Sequence, residues 1–222
     1  MKFLRFFLLV LSLGSVAAHA ETYAQMRAKI QAKRDELRME YGAAKTSAER
    51  VRVLGRAKSV MFSELVNRLF PAWYGTTWDF NGTSETPRVG KVACGYFVST
   101  TLRDLGLNLN RFRIAQLYSH DIVKRLSSEP QTHSSVAETL KVITQSRAPS
   151  LWVVGLDQHV GFLVRDASQK IHFVHSSYGS PAEVVSELAA ESAVLAQSTK
   201  FVLGALSDSD EFVVKWLEKT RI

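Results

Sequence analysis

Cysteine is almost missing from this chain: Cys94 is the one thiol among 222 residues. No disulfide can close within the chain, which excludes the disulfide-stapled class of small secreted domains. Cysteine-rich zinc modules, which need several thiolates, are excluded with it. Proline is sparse, with five residues, and no repeat, low-complexity run or Pro/Gly-rich linker divides the sequence. After the first twenty residues no apolar stretch approaches the roughly 20 residues a membrane-spanning helix needs. No basic-aromatic motif points to nucleic acid. No Gly-x-Ser-x-Gly elbow supports a Ser-His-Asp triad.

What is present begins with residues 1–20, which read as a signal peptide. Lys2 and Arg5 give the positive start, Leu8 to Leu13 the apolar core, and Ala18-His19-Ala20 the small-x-small cleavage pattern. The apolar core is too short to span a bilayer, and polar Glu21 and Thr22 follow at once, so cleavage after Ala20 is expected rather than anchoring. No cysteine follows the cleavage site to carry a bacterial lipid anchor. The expected product starts near Glu21, lies in the periplasm or is secreted, and has no stable membrane insertion. Loss of Lys2 and Arg5 leaves a net charge of +5. Such a charge suits an anionic polymer or a membrane surface as neighbour, or simply a soluble surface.

The hydrophobic periodicity predicts an α+β chain. Residues 22–41 and 47–70 read as two helices: Met26, Ile30, Leu37 and Tyr41 line the first, Leu54, Met61, Leu65 and Leu69 the second. Gly42 is expected to end the first helix, Thr46 and Glu49 to form a capping box for the second, and Pro71 to stop it. Residues 21–70 are thus an N-terminal helical pair, charged enough to meet a protein partner through residues 23–70. Residues 71–222 are the main domain. It opens with an aromatic loop, then a helix from Cys94 to Gly106, a helix from Asn110 to Leu126, and a short helix after the cap at Ser135. After Pro149 the period changes to that of strands at Leu151–Leu156, Val160–Val164 and Ile171–Val174, with further short elements and a terminal helix at Phe212–Leu217.

The chemistry concentrates on Cys94. A thiol in the first turn of a helix faces unpaired amides and the positive end of the dipole, both of which favour thiolate. The same amides, Gly95 among them, can hold an oxyanion. The base that a thiol needs can come from His159, at the start of a strand, with His175 to orient it. A hairpin turn at Asp166-Ala167-Ser168 would set Leu163 against Ile171, Gly161 against Phe173 and His159 directly against His175. His172 then points to the opposite face. The rival uses of these residues are an inert buried thiol, strand-end histidines, or a zinc site of Cys94, His159 and His175. Arg111 and Arg113 are candidates for a substrate carboxylate or for solvated helix positions.

Cys-x-x-Phe-Val at Cys94, His-Val-Gly-Phe at His159 and Phe-Val-His-Ser ending near His175 resemble the three motifs of the NlpC-type papain-like cell-wall peptidases and their CHAP relatives. The resemblance covers roughly residues 74–206. It implies a papain-like fold: N-terminal helices, an antiparallel β-meander and a C-terminal helix. It also implies a cysteine peptidase or amidase, with Cys94 as nucleophile, His159 as general base and His175 as orienting residue. Ala93 and Gly95-Tyr96 depart from the Asp and Ser-Gly that usually flank the family's cysteine. Tyr74 is the candidate for the family's oxyanion tyrosine. No cofactor or metal is called for. The expected function is hydrolysis of an amide bond in peptidoglycan stem peptides or another peptide. The alternatives are a cysteine acyltransferase, or a periplasmic binding or scaffold protein without turnover.

Overall fold

The computed structural model describes residues 21–222; the expected leader, residues 1–20, lies outside them. Helix α1 (Tyr23–Ala43) begins with a capping box in which Thr22 and Gln25 satisfy each other's amides. It runs through Gly42 rather than ending there. Thr46 and Glu49 form the box expected for α2 (Ser47–Glu64). Pro71 does not stop this second helix. A π-helical turn over Leu65–Leu69 follows, and α3 (Phe70–Trp73) carries the chain on with Pro71 in its first turn. Proline gives no amide to the preceding turn, and the turn immediately before it is the wider π-helical one.

Two short parallel strands, β1 (Thr77–Trp78) and β2 (Lys91–Val92), lead into helix α4 (Cys94–Leu105). The single helix expected between Asn110 and Leu126 is two, α5 (Arg111–Ala115) and α6 (Ser119–Leu126). Tyr118 takes an extended ψ of 147° between them. The Ser119 hydroxyl donates to the Leu156 carbonyl, so α6 restarts against the sheet. An unforeseen strand β3 (Gln131–His133) precedes α7 (Val136–Gln145). Then come β4 (Ser150–Gly155), β5 (Val160–Arg165), β6 (Ile171–Ser176) and β7 (Val184–Leu188). A short 3-10 turn, α8 (Ala193–Ala196), β8 (Phe201–Ala205) and α9 (Asp210–Glu218) complete the chain.

Helices therefore precede an antiparallel sheet, as the α+β reading requires. The sheet has six strands in the order β3-β8-β4-β5-β6-β7. Strands β4 to β7 form the meander, and β8 returns to lie between β3 and β4. Strand alternation buries both faces of the sheet. Val160, Phe162 and Val174 face α4 and pack in one cluster with Phe97, Val98 and Leu102. Leu163 and Phe173 face the other way, into a second cluster with Trp152, Val154 and Ile143. The N-terminal helices share the first cluster through Ile30, Leu37, Ala57 and Met61. Tyr23 fastens them to α4: its hydroxyl donates to Asp104 at 2.7 Å and accepts from Trp73 Nε1 at 2.9 Å. No helix among the described residues is long and apolar enough to cross a membrane.

The β5–β6 hairpin corrects the expected register. Its loop residues are Ala167-Ser168-Gln169, one position later than expected. The Gln169 amide donates to Asp166 O, and Gln169 itself is left-handed at φ 71°. A type I turn closed by a left-handed residue is a standard three-residue hairpin loop. Leu163 therefore pairs with Phe173 and Arg165 with Ile171. Continuing that register puts His175 across from Gly161 and diagonal to His159, not directly opposite it. A slide of one residue in the turn moves the partner by two, so both histidines stay on one face.

Gly161 makes this crossing possible. A Cβ there would lie 2.6 Å from the Phe173 ring and 2.8 Å from His175 Cβ. Gly161→Ala is expected to destabilise the fold by about 1–3 kcal/mol through overpacking and to displace His175. A denaturation midpoint unchanged from wild type would contradict this packing.

Candidate functional site

The segment before Cys94 is held from two sides. The Ala93 amide donates to Gly82 O at 2.9 Å. The buried Ser176 hydroxyl at the end of β6 donates to Val92 O at 2.7 Å. Ala93 is the N-cap of α4, extended and without a capping side chain, so the amides of the first turn remain open. The amides of Gly95 and of Cys94 itself lie close enough to the sulfur to draw its pKa down. So does the amide of Val160, the first residue of β5. That amide belongs to the peptide bond begun by His159, so bond lengths put His159 Cα within about 6 Å of the sulfur. Gly95 sits against Ala115, where any Cβ would meet the carbonyl oxygen at 2.6 Å.

His159 precedes β5 in the tight turn closed by the Leu156 amide and the His159 carbonyl. Its ring is only 3% exposed and His175 is fully buried. The two imidazoles meet through His159 Nε2 and His175 Nδ1, 2.8 Å apart. Phe173 stacks on His175 with ring centroids at 4.0 Å, and Tyr178 meets the His159 ring edge-on at 5.2 Å. Trp78 packs in turn on Tyr178, so the aromatic loops at 74–80 and 177–180 wall the histidine side of the site.

Burial sets the charge states. It holds the His159 imidazole well below the ordinary histidine range, with His175 adding to the effect. It brings His175 down to about 3. Burial also pushes the Cys94 thiol up, against the pull of its three backbone amides. The lowered thiol pKa expected from the helix start is therefore not found, because desolvation of the sulfur outweighs the amides. The expected thiol–imidazole hydrogen bond is also not made among the described residues. His159 spends Nε2 on His175, and its Nδ1 takes part in no hydrogen bond there.

The remaining candidates fall into place around this centre. Burial raises the Tyr74 phenol, against the pull of the Ser186 side chain on β7. Gly95 does present its amide to Cys94. Arg111 is 3% exposed and structural. It donates to Thr100 Oγ1 and to the carbonyls of Thr83 and Ser84, and stacks over Tyr96. Arg113 is exposed on α5. His172 lies on the opposite face from His175, as alternation requires, and meets Asp166 at 3.3 Å. Among the described residues no group of three or more His, Cys, Asp or Glu is arranged to hold a metal.

Sequence reasoning missed Glu187. His175 Nε2 meets Glu187 Oε1 at 3.2 Å. Glu187 stands opposite Phe173 on β7, diagonal to His175 on the same face. The only sequence signal was the parity of β7, and that needs the β6–β7 register to be used. No protein-family model, curated protein or solved structure matches the chain.

The depressed histidines make stability depend on pH. The unfolded chain protonates His175 near pH 6.5, whereas the folded chain resists until about pH 3. Their contribution is present above pH 6.5 and is lost as pH falls towards 3. His159 acts in the same direction. The denaturation midpoint should fall between pH 7 and 4 more steeply in wild type than in His175→Asn. Parallel curves for the two proteins would mean that the buried pair does not titrate this way.

Proposed function

We propose that the protein is an extracytoplasmic, papain-like cysteine hydrolase that cleaves an amide bond, with peptidoglycan stem peptides as the substrate class. The observation that supports it best is that the start of the Cys94 helix lies against the peptide bond joining His159 to Val160, at the end of the sheet where His159 meets His175. The order of these residues along the chain, and the motifs around them, fit the resemblance to the NlpC-type peptidases. The signal-like residues 1–20 supply the address, and a net charge of +5 after their removal suits an anionic wall.

In this reading thiol and imidazole are neutral at rest, because burial disfavours both charges. Nδ1 of His159 takes the thiol proton as the sulfur attacks the carbonyl carbon. The C–S bond forms, and the C=O electron pair moves onto the oxygen, which the Gly95 and Cys94 amides can hold. When the intermediate collapses the C–N bond breaks, and the imidazolium gives its proton to the departing amine. Water, deprotonated by the same imidazole, then releases the acid and frees the thiol. An amine in place of water would make the same site an acyltransferase. The raised thiol pKa and the missing thiol–imidazole bond favour the second reading, a binding or scaffold protein without turnover.

The test is release of new amino groups from purified peptidoglycan. Cys94→Ser and His159→Ala should each abolish it. His175→Ala should keep measurable activity, reduced about 10- to 100-fold, since an orienting group takes no part in bond making. His172→Ala should be close to neutral. Activity that survives in Cys94→Ser would refute covalent thiol catalysis. A wild type that releases nothing while Cys94 still reacts with iodoacetamide would overturn the substrate and leave the nucleophile standing.

A further inference from the structure

The three buried or half-buried groups Glu187, His175 and His159 form a line across β7, β6 and β5. Each contact is diagonal: Glu187 faces Phe173, one pair away from His175, and His175 faces Gly161, one pair away from His159. Diagonal neighbours on one face lie within reach of long and aromatic side chains. The line is continuous, with 3.2 Å from Glu187 Oε1 to His175 Nε2 and 2.8 Å from His175 Nδ1 to His159 Nε2.

We infer that Glu187 is a positioning residue that fixes the tautomers of both histidines and leaves Nδ1 of His159 unprotonated. The deduction follows from donor and acceptor capacity in a line whose His175 is buried and neutral. An ionised carboxylate only accepts, so His175 Nε2 must carry the proton in the contact with Glu187. A neutral imidazole has one proton, so His175 Nδ1 is bare and accepts. His159 must then donate from Nε2, and its own Nδ1 is left bare. Removing Glu187 lets His175 place its proton on Nδ1 instead. His159 Nε2 then becomes the acceptor, and its proton moves to Nδ1, the nitrogen a general base must keep free. The cysteine-hydrolase reading gives this arrangement its purpose; the tautomers themselves do not depend on it.

Glu187 is on the edge strand of the sheet, and its side chain is 37% exposed, so it tolerates replacement. Long-range nitrogen-15 correlation spectra of the whole mature protein at pH 7 read the tautomers directly. Wild type should show both rings protonated on Nε2. Glu187→Gln retains an acceptor oxygen and should keep that pattern. Glu187→Lys offers only donors and should invert it, with protons on both Nδ1 atoms. Iodoacetamide alkylation of Cys94 at pH 7 should be close to wild type in Glu187→Gln and about tenfold slower in Glu187→Lys. A wild-type His159 with its proton on Nδ1 overturns the assignment outright, whatever the variants do. So does a folded Glu187→Lys with unchanged tautomers. If the tautomers are as assigned but Cys94 is inert to alkylation while folded, the hydrolase reading fails and the role of Glu187 stands.

Discussion

Ser176 at the end of β6 donates a buried hydrogen bond to the carbonyl of Val92, and two residues later the chain turns into α4 at Cys94. This bond pins the first turn of the helix to the place where β5 and β6 stop pairing, past Phe162 and Val174. The sulfur consequently meets a strand amide that has no partner in the β6 direction, that of Val160. His159 is attached to that same peptide bond. One side-chain hydrogen bond in a dry setting thus sets the spacing between a helix from one half of the chain and a strand from the other. Loss of the Ser176 hydroxyl would leave the Val92 carbonyl unsatisfied and free the helix start to shift.

The electrostatics follow from the same enclosure. Both imidazoles are buried against Phe173 and Tyr178, and the partly buried sulfur is largely desolvated, so each charged form loses water without gaining a full counter-charge. Three backbone amides are partial charges and do not replace hydration of a thiolate. A resting ion pair is disfavoured, so in the proposed hydrolase proton transfer would be coupled to attack.

The α+β class was legible in the sequence, and so was the position of Cys94 in the first turn of a helix, because an apolar helical pattern starts there and runs to Gly106. His159 and His175 were legible because strand parity survives an error in the turn. Sliding the hairpin loop from Asp166–Ser168 to Ala167–Gln169 moved every partner by two and changed no face. Glu187 was not legible, because β7 is an edge strand with mixed burial and its register depends on β6, not on any local turn. The π-helical turn before Pro71 and the break at Tyr118 escaped for a related reason. Both answer to tertiary contacts, with the sheet in the case of Ser119, which override local helix signals. The thiol pKa was misjudged because helix-start amides are visible in a sequence and desolvation is not.

Energetics bear on the choice between a working site and a scaffold. Two imidazoles buried together contribute little to packing that Leu or Phe would not supply better. At low pH the imidazoles weaken the fold, since the unfolded chain takes up protons the folded chain refuses. This cost falls at the point where β5 and β6 stop pairing and a helix start is left uncapped. Strained or poorly solvated titratable groups held by a rigid frame are the usual mark of a site whose chemistry needs them. Here the frame is specific: Gly161 has no side chain where His175 crosses it, Gly95 has none where α5 backs the nucleophile, and Glu187 holds the far end of the imidazole pair. In the proposed hydrolase these three features would hold Cys94 and His159 in place.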